Sequence, residues 1–356
     1  MGVPGAKSFH LSAPGYGNVQ GLAVGAANPY YVRFASSPDA SVIGDAIAQG
    51  PSFFTLWIGN NDILSYATSG GAGVDQEGNL DPTTYGSNDI TDPMVFGSVY
   101  DGLLQGLTAS ATGGVVANLP DVTTIPYFTT VPHNPVPLDA ATAALLNSSY
   151  AAYNGGLGQL QLAGLISEEE LAQRTITFTA GEANAVVLLD EDLTDVTAIN
   201  PALLNMRQAT ADDLLVLPSQ NIIGSLADPA NPTSINGVAI PLADQWVLTP
   251  EEQTAVITAT AKFNATIEAL ATQYDLGFVD ANAFLKVIGE SGIQLSDGST
   301  VTATYGTGGG FSLDGVHPSP RGYSLLANEF LKVIEAKYGA NLPQVEPLDY
   351  TGLYLD

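Results

Sequence analysis

Two apolar runs flanking a helix-like stretch restrict the chain more than any other feature. Phe53-Phe54-Thr55-Leu56-Trp57-Ile58 is apolar on both faces, as a strand inside a parallel sheet has to be. It ends at Gly59-Asn60-Asn61-Asp62. Asp92-Pro93 then reads as an N-cap with proline at the first helical position, and Val95, Phe96, Val99, Leu103, Leu104 and Leu107 recur at helical spacing. Gly113-Gly114 leads into a second buried run, Val115–Leu119, closed by Pro120-Asp121. Strand, helix, strand in this order predicts a βαβ unit and a parallel sheet. The 356 residues suffice for one large α/β domain with insertions or for two domains.

Around this nucleus the pattern divides the chain into 1–131, 132–243, 244–343 and a tail at 344–356. In the first part, 39–49 predicts a short helix stopped by Gly50-Pro51. The Gly-, Asp- and Ser-rich stretch 65–90 reads as a loop. Residues 132–243 break the alternation and read as an insertion covering one end of the sheet. They hold a helix near 140–153, an acidic helix start at Ser167-Glu168-Glu169-Glu170, and a pair of strands at 175–179 and 185–189. The core pattern resumes at Thr249-Pro250-Glu251-Glu252, a capping box. Gly277–Asp280 predicts the next short strand. A final helix is expected over 320–338, with Ser319 as N-cap and Gly339 as its stop.

Composition removes several function classes. The net charge of −27 repels nucleic acid and anionic membranes. With no cysteine, disulfides and thiolate metal sites are excluded. No apolar run approaches the ~18–20 residues that span a bilayer, so no stable membrane insertion is expected. Only His10, His133 and His317 can supply an imidazole. His10 and His133 read as loop or surface histidines. Asp190-Glu191-Asp192 and Asp212-Asp213 lack an EF-hand pattern and read as solvated acidic faces.

Three motifs carry chemistry, and each has an ordinary turn as its plain alternative. Asp314 stands three residues before His317, a spacing that lets a carboxylate orient an imidazole base. Asn61 follows a buried strand, where open α/β sheets place their ligand sites, and its amide can face a developing oxyanion. Asp62 can cap the helix that follows. Gly5, in Val-Pro-Gly-Ala, offers a backbone N–H that a ligand can approach closely.

Taken in order, these motifs resemble the SGNH superfamily, the GDSL-type esterases and lipases, and most closely GDSL-like lipases of Bacteroidetes type. Val116-Ala117-Asn118-Leu119-Pro120-Asp121-Val122 is similar to a strand end that many of them carry. The resemblance implies a flavodoxin-like three-layer α/β/α sandwich with a parallel sheet. It implies hydrolysis of carboxylic esters through an acyl-serine intermediate, with small-molecule, lipid or glycan esters as substrates and no metal or organic cofactor. His317 would be the base, Asp314 its orienting carboxylate, Asn61 the side-chain oxyanion donor and Gly5 the backbone donor. A secreted, periplasmic or outer-surface bacterial location goes with the family.

One block departs from the pattern. No Gly-Asp-Ser or Gly-Asn-Ser occurs in the sequence, and in the family that block precedes the glycine that Gly5 resembles. The nucleophile and the first strands are therefore expected upstream of Met1, and the chain as it stands is expected to be essentially inactive on esters. Without those strands Phe53–Ile58 would form an open edge that favours pairing with another chain. The rival readings are a non-catalytic binding protein on a degenerate hydrolase fold and a glycan O-deacetylase.

Overall fold

A computed structural model describes residues 2–353. The chain forms a mixed α/β structure that divides into two compact units. The first gathers the chain up to Tyr66, Gly73–Ile125 and everything from Ala255 onward. The second comprises Ala67–Ala72 and Pro126–Thr254. The second unit thus takes in the stretch 132–243 set apart by its sequence pattern and extends past both of its ends. No helix among the described residues is long and apolar enough to cross a membrane.

The first unit is built on a three-stranded parallel sheet. Gly113–Ala117 lies in the middle, flanked by Phe53–Leu56 and Gly277–Val279. Both expected apolar runs form strands, each shifted or shortened by two residues. The Phe53–Leu56 strand pairs on one side only among the described strands, so the central place that its double-sided apolarity suggests is not the one it occupies here. Phe53 is 37% exposed, with its ring set edge-on to Tyr338.

The helices begin and end where local chemistry dictates. Asp92 accepts hydrogen bonds from the amides of Met94 and Val95 at 2.8 and 2.9 Å, and Pro93 opens the helix Pro93–Thr108. That helix buries Phe96, Leu103, Leu104 and Leu107, and Phe96 stacks on Phe263 of the helix Pro250–Gln273 at 4.1 Å between centroids. Each such side chain contributes about 1.5–3 kcal/mol by leaving water. The last helix, Pro320–Tyr338, starts at Ser319, whose Oγ accepts from Gly322 N, and stops at Gly339 in the left-handed region at φ 64°. Its Leu326, Phe330, Val333 and Ile334 pack with Val115, Ala117 and Val279 of the sheet.

In the second unit the expectation of a strand at 175–179 fails. The segment joins no ladder. Asn147 and Asn154, two turns apart on the helix Ala140–Leu162, take its hydrogen bonds instead. Asn154 accepts from Ile176 N and donates to Ile176 O; Asn147 does the same at Phe178, all at 2.8–3.0 Å. Two side-chain amides replace a neighbouring strand. The second expected strand survives as Val187–Leu189, paired antiparallel with Met206–Gln208.

The acidic stretches of this unit also depart from expectation. Asp190 and Asp213 are buried, not solvated. Both bind Arg207, at 2.5 and 2.6 Å, and all three side chains are about 2% exposed or less. Alternating hydropathy cannot reveal such a triad, because its partner is an arginine inside a strand. Burial works against the arginine's charge, and the hydrogen bonds and charges of Asp213 and Asp190 outweigh it, holding the guanidinium pKa above its ordinary value.

Candidate active site

The chain leaves the Phe53–Leu56 strand through Gly59, at φ +121°, and enters the helix Asn61–Thr68. A Cβ at Gly59 would stand 2.8 Å from the Phe96 ring, so both conformation and contact require glycine. The turn sets Asn61 and Asp62 at the start of the helix, facing different ways. Asn61 donates one amide hydrogen to the Ala6 carbonyl at 3.0 Å. An amide group carries two hydrogens, and one remains for a ligand. Asp62 is not the helix cap that its position suggested. It is fully buried, accepts from Ser8 N and Ser8 Oγ, both at 2.7 Å, and so fastens the N-terminal loop to this helix. Burial pushes its carboxyl up to about 6 despite the Ser8 hydrogen bonds and the nearby charge of Lys7.

Asp314 and His317 lie on a loop closed by a bridge between Phe311 and Pro318 and by the bond from Ser312 N to His317 O at 2.8 Å. Asp314 Oδ1 accepts from Ser312 Oγ, Val316 N and His317 N at 2.7–2.9 Å. Its Oδ2 lies 2.8 Å from His317 Nδ1. Partial burial opposes its ionisation, and these hydrogen bonds more than offset it, holding the carboxyl down at about 2. A carboxylate so ionised fixes the proton of a neutral imidazole on Nδ1 and leaves Nε2 with its lone pair. The pair is open to solvent, with His317 62% and Asp314 50% exposed along their side chains. It therefore adds little to stability.

Asn61 and His317 line one cavity of about 210 Å³ within the first unit. Trp57, Leu64, Ile125 and Tyr323 supply much of its apolar wall. Trp57 is fixed by a bond from its indole N–H to Asn118 O at 3.0 Å. Two further amides hold the exit of the middle strand, which leads to Pro120 and Val122 on the cavity wall. Asn118 bonds Asp280 and Asn282 N, and Asn264 bonds both the N–H and the C=O of Leu119. The cavity brings together Asn61 and His317, with Asp314 attached through the imidazole. Gly5 is exposed, in a turn at φ +77°, and does not line it. Its link to the site is the next residue, through the Ala6 carbonyl held by Asn61.

No family model, no curated protein and no solved structure matches the chain. The site has to be read from its own chemistry.

Sequence reasoning missed the clamp formed by Ser8 and Asp62, the wall residues Trp57 and Tyr323, and the support from Ser312. The usable signal was Asp314 itself, whose Oδ1 accepts from Val316 N two positions on as in an Asx turn; the Ser312 hydroxyl adds a side-chain bond to that oxygen. The other histidines lie elsewhere. His10 stacks on Tyr16 and accepts from Lys7 N at its Nδ1, at 3.1 Å. Burial, with the charge of Lys7, lowers its pKa to about 4. His133 belongs to the second unit.

Proposed function

We propose that this chain carries the base, the orienting carboxylate and the side-chain oxyanion donor of an SGNH-type carboxylic ester hydrolase, on a three-layer α/β/α sandwich. The observation that carries the reading is the grouping of His317, with Asp314 on its Nδ1, and Asn61 on one apolar-walled cavity. In the reaction a serine hydroxyl loses its proton to His317 Nε2 as its oxygen attacks the ester carbonyl. The free amide hydrogen of Asn61 meets the oxyanion. The imidazolium, steadied by Asp314, returns the proton to the departing alkoxide, leaving an acyl-serine. Water then repeats the cycle on the acyl group. No metal or organic cofactor enters these steps. The modest cavity favours short acyl groups.

The serine belongs to the Gly-Asp-Ser block that the 356 residues lack. On this reading the coding sequence upstream of Met1 supplies it, with the strands that would cover the Phe53–Leu56 edge. Export to the periplasm or cell surface is part of the same proposal, and that upstream sequence tests it too. The decisive experiment expresses the extended chain and assays nitrophenyl esters of graded acyl length beside acetylated sugars. Turnover blocked by a fluorophosphonate, and lowered at least ~10³-fold by His317→Ala with an unchanged melting temperature, supports the reading. Activity confined to acetylated sugars would make the enzyme a glycan deacetylase. An extended chain inactive on both substrate classes would favour a binding protein on a hydrolase fold.

A further inference from the structure

The second unit holds an electrostatic conflict that its own residues do not resolve. Glu191, Asp244 and Glu252 each bring a carboxylate oxygen within 4.8 Å of the other two. Glu191 comes from the turn after the Val187–Leu189 strand, Asp244 from the short helical turn Asp244–Trp246, and Glu252 from the first turn of the helix Pro250–Gln273. Among the described residues no lysine, arginine or histidine forms an ion pair with any of the three. The Asp190–Arg207–Asp213 triad, next to Glu191 in sequence, shows how the same unit treats carboxylates that it buries with a partner.

Glu252 is the telling member. It is 4% exposed. Its Oε2 accepts from Thr249 N at 2.6 Å, which completes the capping box. Its Oε1 is buried and has no hydrogen-bond partner. The loop facing it is shaped to admit that oxygen. Gly70 and Gly71 are both left-handed, at φ +66° and +78°, and a Cβ on Gly71 would fall 1.8 Å from Oε1. A Cβ on Gly70 would fall 2.3 Å from the Asp244 carbonyl. Two successive glycines thus let the backbone close against an acceptor-only cluster. An unpaired buried carboxylate oxygen costs free energy that native structures seldom leave uncompensated.

We propose that Glu191, Asp244 and Glu252 bind one hard divalent cation of the calcium class, with Glu252 Oε1 as its buried ligand. The donor set is all oxygen, with neither imidazole nor thiolate among the three, which suits calcium or magnesium and not zinc or copper. Calcium takes oxygens at ~2.3–2.6 Å in a shell that tolerates irregular geometry, and three oxygens within 4.8 Å of one another can share such a shell. Magnesium demands near-ideal octahedral geometry and gives up its water reluctantly, which a buried glutamate oxygen would require of it. Glu191 is exposed, so water can complete the coordination on that side. The site lies wholly in the second unit and does not depend on the ester-hydrolase reading. Its role is structural: it would join three segments of that unit. The competing account is a proton shared between Glu252 and Glu191. Burial and the charges of Glu191 and Asp244 do push the Glu252 carboxyl up to about 9.

The test uses the full chain, stripped with a chelator and returned to 0.1 M NaCl. Terbium, a calcium stand-in, is read by luminescence sensitised through Trp246, two residues from Asp244. Calcium and magnesium are compared by titration calorimetry and thermal melting. Because a chain of net charge −27 attracts cations everywhere, stoichiometry and variants decide. The expected result is one tight calcium per chain, at least tenfold tighter than magnesium, with a melting temperature raised by several degrees. Glu252→Gln and Glu191→Gln should each weaken calcium at least tenfold. Glu191→Gln, at an exposed position, should melt like the stripped parent without calcium, which separates loss of binding from loss of fold. A stripped parent that binds neither calcium nor terbium at millimolar concentration overturns the proposal. So does binding that both variants leave intact, and so does a Glu252→Gln chain that is more stable than the parent whether or not calcium is present, as the shared proton requires.

Discussion

Replacing Asp62 by asparagine tests how the N-terminal loop is held. In the parent the carboxyl has its pKa raised from 3.8 to about 6 by burial. A carboxyl raised in the folded state binds its proton more tightly there than in the unfolded chain. Its contribution to stability is therefore complete below pH 3.8 and is lost as pH rises through about 6. The shift corresponds to about 3 kcal/mol between the two limits. The asparagine side chain can keep both contacts. Its Oδ1 accepts from Ser8 N, and its amide donates to Ser8 Oγ, a hydroxyl with acceptor capacity. The variant should thus fold with the same loop attachment but without the pH-dependent cost. Urea unfolding of both proteins between pH 4 and pH 8 reads the difference directly, and groups common to the two cancel. Asp62→Asn should gain on the parent by about 2.5 kcal/mol across that range, since about 0.5 kcal/mol of the total change falls below pH 4. A difference that stays constant within about 0.5 kcal/mol would show that the buried carboxylate is stabilised by its surroundings as fully as by water, and the reasoning would be wrong.

Other perturbations sort buried from exposed electrostatics. Arg207→Met leaves Asp190 and Asp213 buried without a counter-charge and should cost about 3–5 kcal/mol in chemical denaturation; most of that loss should return when both aspartates are also replaced by asparagine. Asp314→Ala, at an exposed pair, should change stability by less than about 1 kcal/mol by the same measurement while releasing the His317 ring, seen as a change in its NMR tautomer signals. Gly59→Ala meets both a left-handed backbone and the Phe96 ring, and should lower stability by about 1–3 kcal/mol in thermal melts.

What the sequence disclosed and what it hid divide along physical lines. The caps Asp92, Ser319 and Thr249 were legible to the residue, because they act on amides two or three positions away, whereas Asp62, which looked like another, is taken by Ser8. The parallel strands were legible as apolar runs, but their limits were not, since ladder ends depend on partners far along the chain. The Asp314–His317 contact was legible for the same local reason as the caps. Its neighbourhood with Asn61 was inferable only from the order of motifs, and Gly5's absence from the cavity wall was not inferable at all. The segment 175–179 has the residues of a strand. What decides against a ladder is a pair of asparagines on a helix more than twenty residues earlier. Acidic runs were the least legible, because Asp190, Glu191 and Asp213 look alike in sequence and differ only in what they meet.

The parallel sheet also sets a timetable for synthesis. Its middle strand carries Val115, whose neighbour in the third strand is Gly277, and the Asn118 side chain that secures the strand end bonds Asp280, 162 positions later. At ~5–20 residues per second a ribosome needs roughly 8–30 s to bridge that interval. During that time the Pro126–Thr254 part of the second unit emerges, and the unit can complete its own core of Leu157, Phe178, Val187 and Leu215. The two earlier strands wait with the Gly113–Ala117 edge uncovered. The nascent chain is then at its most adhesive, and a chaperone that shields the exposed edge would act on this interval and release the chain once Gly277–Val279 has been made.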